Sequence, residues 1–442
     1  MAITRNAIGI VIISVLIYLI QQNLYTRLPL HTDGEVIDNR YKRVFDAFKY
    51  YLTITVALSL LSKNFEDGWE HDGAALAVYQ HGKILVDIWG GYADKEAARK
   101  WNKDTITVTF STAKSIAALC IAMLVDKKRL SYDDLVTKYW PAFGKHSKGN
   151  ITIQMILSHT AGLAYTDETI TPEMAADHNA MRILFENEHP KWPPGTKTGY
   201  HVYNYGWLVD QLIRASDERK RGIGQFFREE IAQKFDVDYF IGLPSKEQHR
   251  VARISRATPW NCIEEAFTDL HVLKSLRMYL WLFTDTMLRR AVSNPDWLQA
   301  IFHITLNNPD YQRLEQAAAL GIGNARSLGK VFSLISSNQL FSKTTLKRIN
   351  RVIVNETDIL LNERIAKGNG MFFFDVHRAG TKYAFGHTGH GCQQITYDPV
   401  NDLTIAYVTN GLKIGLYKHC RTYARLHQAV YDVLENVPLS AS

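Results

Sequence analysis

Hydrophobic residues are spaced along this chain in two patterns, one typical of strands and the other of buried helices. Apolar positions at residues 75–79 and 84–89, on either side of His81-Gly82, predict a β-hairpin. The run from Ile116 to Val125 is apolar almost all round, which predicts a helix buried inside a domain. The same patterns predict strands at 371–374, 393–397 and 403–408, and a closing helix at 418–434.

Helical patterns occupy most of the chain between the predicted strands. They run from residue 115 to about 240 and again from 259 to 350. Strands at both ends with helices between them predict an α/β (α+β) fold. We expect an antiparallel sheet flanked by helices, formed from both ends of the chain. An all-helical lobe is expected as an insertion at about residues 130–350, within a main domain at 74–436.

The N-terminal residues have the pattern of a targeting segment. Residues 7–20 are apolar and follow Arg5, and no small-residue cleavage site comes after them. We therefore expect residues 1–33 to be a signal anchor and linker of a single-pass membrane protein, with the catalytic domain lumenal or extracellular. A cleaved signal peptide and a secreted protein are the alternative. Residues 34–73 are expected to hold a helix at 40–48 and an apolar insertion at 50–61.

Composition and charge narrow the function classes. The 442 residues carry a net charge of +7, with the basic residues scattered, which argues against a nucleic-acid surface. The four cysteines show no C-x-x-C pairing, so we expect no metal site, and their spacing leaves disulfide pairing open. Sequons at Asn150 and Asn355 fit a secretory route and a glycoprotein.

A serine and a lysine lie three residues apart where the buried helix is expected to begin. Ser111 and Lys114 share one face of the first turn, so the amine can reach the hydroxyl. A developing negative charge there is favoured by the helix dipole, and burial favours the neutral form of the lysine. The same spacing recurs at Ser327 and Lys330, so the tetrad alone is weak evidence and an exposed pair is its simplest interpretation.

Two further segments offer partners for the serine. Tyr200 follows a turn-rich segment and could carry a proton, although a half-buried structural aromatic is the simpler explanation of this tyrosine alone. The segment His387-Thr388-Gly389-His390 precedes a predicted strand, and its small residues allow close approach to a ligand. The backbone N–H of His390 could share an oxyanion with that of Ser111. Hydrogen-bonded edge histidines are the alternative, and no acidic residue or cysteine completes a metal site there.

These elements, in this order, resemble the serine β-lactamase and penicillin-binding-protein superfamily. The chain is most similar to class C β-lactamase-like esterases and their animal relatives, the β-lactamase domain-containing proteins, over roughly residues 64 to 436. Supporting stretches are W-G-G-Y-A-D at 89–94, F-S-T-A-K at 110–114, L-S-H-T-A-G-L at 157–163, I-G-L-P at 241–244 and N-A-R-S-L at 324–328.

The resemblance implies a role for each candidate residue. Ser111 would be the nucleophile, Lys114 its general base and Tyr200 the catalytic tyrosine, while His387-Thr388-Gly389 would stand where relatives have K-T-G or H-x-G. It also implies a serine acyl-enzyme without a cofactor. Relatives often have Y-x-N at the tyrosine, whereas this chain has Val202 in place of the asparagine, which favours an esterase over a lactamase.

The sequence therefore predicts a membrane-anchored serine hydrolase. Its partner would be a small-molecule or peptide substrate with an ester, amide or lactam carbonyl. The rival interpretation is a non-catalytic binding or scaffold protein on the same fold. Residues 49–63 interrupt the resemblance, either as a genuine insertion or as an error in the gene model. The oligomeric state is left open.

Overall fold

The computed structural model describes residues 28–42, 64, 65, 67–268, 272, 273, 282–284, 286–301, 303–415 and 417–435. The apolar N-terminal segment, the insertion at 50–61 and most of the expected helix at 40–48 lie outside these residues. Within them, no helix is both long and apolar enough to cross a membrane.

A large antiparallel sheet forms one layer of the molecule. Its strands, in chain order, are β1 (Thr32–Val36), β2 (Gly73–Gln80), β3 (Lys83–Asp94), β4 (Arg99–Lys100), β8 (Val354–Thr357), β9 (Arg364–Lys367), β10 (Phe372–Arg378), β11 (Thr381–Gly389), β12 (Gln393–Asp398) and β13 (Leu403–Thr409). The spatial order is β1-β3-β2-β13-β12-β11-β10-β9-β8, with β4 paired to β3. A small second sheet has the order β5 (Thr107–Val108), β7 (Gly321–Gly323), β6 (Tyr239–Ile241).

The two ends of the chain meet at the centre of the large sheet. Strand β13 pairs with β2 in antiparallel register, from Leu403 opposite Gln80 to Thr409 opposite Ala74. The predicted sheet built from both termini is therefore confirmed. The predicted turn is also confirmed, since His81 and Gly82 both have positive φ and join two paired strands, as a tight hairpin turn requires.

Helices occupy the chain between and after the strands. Those in the described residues are α1 (Thr112–Asp126), α2 (Ile153–Leu157), α3 (Pro172–Ala176), α4 (His178–Asn187), α5 (Asn204–Ser216), α6 (Ile223–Phe227), α7 (Pro259–Thr268), α8 (Met287–Ser293), α9 (Pro309–Gln312), α10 (Ala325–Ser333), α11 (Lys343–Ile349) and α12 (Arg421–Leu434). Most of them lie in the segment predicted as the inserted lobe. That lobe is not all helical, because β6 and β7 lie within it.

The sheet has a different helix on each face. Alternate residues of β2 separate the two cores, with Ala75 and Ala77 in the core that contains α1 and Leu76 and Val78 in the core that contains α12. Every residue of α1 from Thr112 to Val125 is buried, as its apolar sequence predicts. The sheet therefore separates the N-terminus of α1 from α12.

Two local expectations need correction. The anchor and linker expected at 1–33 overlap a strand, because residues 32–36 form an edge strand that pairs with β3. Main-chain hydrogen bonds to the sheet need no apolar pattern. The segment 387–390 was expected to precede the strand at 393–397, and no strand was predicted for it. Instead, His387, Thr388 and Gly389 are the last residues of β11 and pair with β12.

Candidate active site

Ser111 lies at the start of α1, immediately after a backbone turn. Phe110 has φ +49°, a left-handed conformation that L-residues rarely adopt, and Ser111 returns to the helical region. The small sheet fixes the backbone that precedes Ser111, since the Thr109 N–H donates to the Gly321 carbonyl at 2.8 Å. Ser111 is half-buried, and its hydroxyl forms no capping bond to the helix. Its Oγ is therefore available to other partners.

The Lys114 amine is buried between three oxygen atoms. Its Nζ lies 3.2 Å from Ser111 Oγ, 2.7 Å from the Val202 carbonyl oxygen and 2.8 Å from the Ala318 carbonyl oxygen. The residue is fully buried, and burial lowers the pKa of its amine well below the ordinary 10.5. The side chains of Ser111 and Lys114 are therefore within reach of each other, as predicted, and burial favours the neutral form of the amine.

Tyr200 packs against the same two groups. Its ring centroid lies 4.8 Å from Lys114 Nζ, and its side chain forms a hydrogen bond with Ser111. Burial raises the pKa of the phenol, and the hydrogen bond to Ser111 opposes that shift. Ser111, Lys114 and Tyr200, which are distant in sequence, therefore form one contiguous cluster.

Two buried histidines hold the segment around Tyr200. The His201 Nδ1–H donates to the Gly199 carbonyl at 2.7 Å, and its Nε2 accepts the Leu163 N–H at 3.0 Å. The His201 N–H donates to Nδ1 of His159 at 3.1 Å. Burial lowers the pKa of both rings, that of His201 to about 3. Both rings are therefore neutral, and we assign them a positioning role.

A buried ion pair supports the other side of the same turn. The Lys367 Nζ donates to Thr198 Oγ1 at 2.7 Å and also pairs with the Asp358 carboxylate. All three residues are inaccessible to solvent or nearly so. The charges of Lys367 and Asp358 therefore compensate each other. The bond from Lys367 to Thr198 fixes the segment two residues before Tyr200.

His387 lies beside Tyr200 on β11. Its Nδ1–H donates to the Thr388 carbonyl at 2.6 Å, so Nε2 is the unprotonated nitrogen. Its ring stacks on Phe372 with centroids 4.3 Å apart and lies 6.1 Å from the Tyr200 ring. Burial lowers its pKa to about 3. A neutral imidazole thus occupies the position where relatives with K-T-G have a cation.

The end of β11 brings Gly389 and His390 to the nucleophile segment. A Cβ on Gly389 would lie 2.6 Å from the Thr109 carbonyl oxygen, so only glycine fits there. The His390 ring meets the ring of Phe110, the residue before Ser111, with centroids 5.5 Å apart. Burial lowers the pKa of His390 to about 4, and a hydrogen bond with the Ala300 backbone opposes this shift. All seven predicted residues thus converge on one region.

Sequence reasoning did not identify Gln316, which connects two walls of the site. Its Nε2 donates to the Tyr203 carbonyl at 2.7 Å, and its Oε1 accepts the Ala318 N–H at 2.6 Å. Because the Ala318 carbonyl receives the lysine amine, Gln316 fixes one of the three oxygens around Lys114. No motif surrounds it, and Lys367 and Asp358 likewise have no signature in the sequence.

Apolar side chains form the wall next to Tyr200. Val202 is half-buried and packs with Phe372, Phe374 and Leu361 in one cluster with Tyr200. The side chain at the position where relatives often carry an asparagine therefore offers no hydrogen bond to a substrate. Elsewhere in the described residues, no group of three His, Cys, Asp or Glu side chains is arranged to hold a metal ion.

A serine at the N-terminus of a helix lies beside a buried lysine, on a fold of mixed sheet and helices. This arrangement is that of a serine hydrolase. Comparison with known proteins agrees with this class. A profile of the Beta-lactamase family matches residues 61–429. The chain belongs to the Beta-lactamase family.

Individual proteins similar to this chain are consistent with that family. Esterase/beta-lactamase LipL from Mycobacterium tuberculosis is 28% identical over 360 residues, which cover 78% of this chain and 78% of that protein. A penicillin-binding protein homolog from Caulobacter crescentus superimposes with a TM-score of 0.74 at 27% identity, covering 92% of this chain and 100% of that one. A family VIII carboxylesterase gives a TM-score of 0.76 at 25% identity, with coverage of 92% and 100%.

Proposed function

We propose that this protein hydrolyses carboxylic esters through an acyl-enzyme formed on Ser111, with Lys114 as general base and Tyr200 as proton carrier. The observation that carries the proposal is the surroundings of the Lys114 amine. A neutral amine has two N–H donors and one lone pair. The carbonyls of Val202 and Ala318 take the two donors, so the lone pair is left for the hydroxyl of Ser111, 3.2 Å away. The serine O–H then donates to the lysine nitrogen.

The proposed reaction has two half-cycles. Ser111 Oγ attacks the carbonyl carbon while its proton passes to Lys114, and the carbonyl oxygen becomes an oxyanion. The backbone N–H groups of Ser111 and His390 hold this oxyanion, at the positive end of the α1 dipole. Tyr200 passes a proton to the departing alkoxide, which leaves as an alcohol and gives the acyl-enzyme. Water then attacks the acyl carbon, and the protons return by the reverse path to release the acid and free Ser111.

Three observations support an ester with an apolar acyl group as the substrate. The wall beside Tyr200 is formed by Val202, Leu361 and Phe372, which suits an apolar chain. A neutral His387 provides no cation for the carboxylate of a β-lactam or a peptide terminus. LipL is named an esterase/beta-lactamase, and one of the similar structures is a carboxylesterase.

The test is a substrate panel on the full-length protein. We expect hydrolysis of p-nitrophenyl esters of medium-length acyl chains and much slower turnover of a chromogenic cephalosporin or a D-amino acid amide. A fluorophosphonate probe should label the wild type and Ser327→Ala but not Ser111→Ala. Equal labelling of all three proteins would contradict the proposal.

The Val202→Asn variant tests the substrate preference separately. Restoring an amide donor should raise kcat/KM for the cephalosporin relative to the ester by about tenfold, as expected for one added hydrogen bond. An unchanged ratio would show that the side chain at residue 202 does not set the preference.

We also propose that the catalytic domain reaches an oxidising compartment, lumenal or extracellular, behind an N-terminal signal anchor. Cys392 and Cys420 form a disulfide, a bond rare in reducing compartments. The sequon residues Asn150 and Asn355 are both exposed, as glycosylation requires. Treatment with an N-glycosidase should lower the mass of the protein from animal cells, and Asn150→Gln with Asn355→Gln should abolish that shift. A protein without glycans that is accessible only in the cytosol would contradict this assignment.

A further inference from the structure

The loop that carries His390 is covalently tied to the opposite side of the sheet. Gly389 and Gln393 are paired across β11 and β12, so the loop consists of residues 390–392. Cys392 forms a disulfide with Cys420, which lies 28 positions later in the sequence, and the two Cα atoms are 5.8 Å apart. The other two cysteines, Cys120 and Cys262, are free thiols.

The backbone of this loop does not adopt an ordinary conformation. Gly391 has φ +74° and Cys392 has φ +86°, which is the left-handed region that a non-glycine residue rarely adopts. Leu412 packs so closely that a Cβ on Gly391 would lie 2.2 Å from its Cδ2. Neighbouring structure must therefore hold Cys392 in place.

The anchor at the other end is a rigid helix terminus. Cys420 is the N-cap residue of α12, and its sulfur accepts the Tyr423 N–H at 3.5 Å. The Thr422 hydroxyl lies 3.3 Å from the sulfur of Cys392 and 3.1 Å from that of Cys420. Both cysteines are buried in the core under α12, on the face of the sheet opposite α1. The disulfide thus connects the loop beside Ser111 to that opposite face.

We propose that the Cys392–Cys420 disulfide positions the backbone N–H of His390, so that the hydrolase is fully active only while this bond is intact. The inference rests on the proposed function, in which that N–H is the second oxyanion donor. Such a donor must lie within about 2.7–3.1 Å of the oxyanion, and removing one costs on the order of 10²–10³ in kcat. Only Gly391 lies between His390 and the cross-linked Cys392, so freeing Cys392 lets the donor move away.

Reduction of the bond is a two-electron step. A dithiol such as dithiothreitol gives two electrons and two protons to the S–S bond. The products are two cysteine thiols and the oxidised cyclic disulfide of the reagent. The sulfurs are buried, so unfolded-state thiol counting is needed to show that reduction is complete. We expect two free thiols per chain before reduction and four afterwards.

The experiment measures kcat and KM of the full-length protein on a p-nitrophenyl ester before and after reduction. Rates are divided by the concentration of sites titrated with a fluorophosphonate, so that unfolded molecules do not count. We expect kcat per site to fall at least about tenfold, since one donor is displaced, with a change in KM below about threefold. The Ki of a boronic acid, which forms a tetrahedral adduct, should rise in parallel with the loss of kcat.

Two variants serve as controls. The double variant Cys392→Ser with Cys420→Ser should have the low kcat of the reduced protein and be insensitive to the dithiol. Cys262→Ser, which removes a half-buried free thiol, should keep the wild-type kcat and the wild-type sensitivity. If the fully reduced protein retains its kcat per titrated site, the positioning role is wrong while the proposed function stands. If neither redox state hydrolyses any ester or takes up the probe, the proposed function itself fails.

Discussion

The chain contains the same tetrad spacing twice, and the two copies lie in opposite environments. Ser111 and Lys114 begin α1, whereas Ser327 and Lys330 belong to α10. Both pairs share one face of a helical turn, as the spacing requires. In the first pair the Lys114 amine is fully buried and 3.2 Å from its serine. In the second pair the lysine side chain is 34% exposed and turned toward Asp236.

The second serine is already engaged in holding the fold. The Ser327 Oγ accepts the Asp238 N–H at 2.9 Å, and its own N–H donates to the Asn324 side chain at 2.8 Å. The Lys330 amine donates to the Asp236 carbonyl at 3.0 Å and lies 3.9 Å from the Asp236 carboxylate. The comparison teaches that spacing alone does not activate a serine. A buried amine and a hydroxyl without a structural task are also needed.

The largest expected difference between the two copies lies in turnover. Ser111→Ala should lower kcat for ester hydrolysis by about 10⁴-fold or more, because the nucleophile is lost. Ser327→Ala should leave kcat within about twofold of wild type, since the Ser327 hydroxyl accepts the Asp238 N–H and contacts none of the predicted site residues. Steady-state kinetics of the two purified variants on one ester checks this. A comparable loss of kcat in both would break the comparison.

Substitutions of Lys114 and Lys330 should also differ in their effect on kcat, by a smaller factor than the two serine substitutions. Lys114→Ala removes the proposed general base and should cost about 10²–10⁴ in kcat. Lys114→Arg should not rescue it, because a guanidinium stays protonated and cannot accept the serine proton. Lys330→Ala loses only a partly exposed pair and should behave as wild type. Rescue by arginine would show that the charge of Lys114, rather than its basicity, is what matters.

The pH profile sharpens the role of the buried amine. Lys114 must be neutral to act as a base, and burial places its pKa well below 10.5. As pH falls through that pKa the amine gains a proton, so kcat/KM should drop about tenfold per pH unit on the acidic limb. Above the pKa the profile should be flat until the ordinary lysine range. Lys330→Ala should reproduce the whole profile, and a profile that begins to rise only near 10.5 would contradict the assignment.

The smallest expected effect concerns stability, which Ser327→Ala should lower more than Ser111→Ala. Ser327→Ala leaves the Asp238 N–H without its acceptor and should lower the free energy of unfolding by about 1 kcal/mol. Ser111 forms no capping bond, so Ser111→Ala should change stability by less than about 0.5 kcal/mol. Urea denaturation of both variants measures this. A larger loss for Ser111→Ala would mean that this serine also has a structural task.

Regular patterns made much of the fold predictable. The apolar run of α1, the hairpin at His81-Gly82 and the strands at 393–397 and 403–408 follow from periodicity. Strand β1 did not, because an edge strand with alternating polar residues is held by main-chain bonds that leave no apolar signal. The end of β11 was not predicted as a strand either, because its small residues leave no apolar pattern although its backbone is paired with β12.

The site was predictable only where motifs mark it. Ser111, Lys114, Tyr200 and His387 stand in recognisable spacings, and they converge as expected. Gln316 bonds to Tyr203 across 113 positions, Lys367 bonds to Thr198 across 169 positions, and the Cys392–Cys420 disulfide spans 28 positions. Such contacts come from tertiary packing, and a single sequence contains no local pattern for them.

We expect Ser111, and not its counterpart Ser327, to become acylated during turnover. The direct measurement is an acid quench of the wild type turning over p-nitrophenyl hexanoate, followed by intact mass and peptide mapping. We predict a single hexanoyl group on the peptide containing Ser111, absent from Ser111→Ala. A hexanoyl group on the Ser327 peptide, or ester turnover that survives in Ser111→Ala, would rule out Ser111 as the nucleophile.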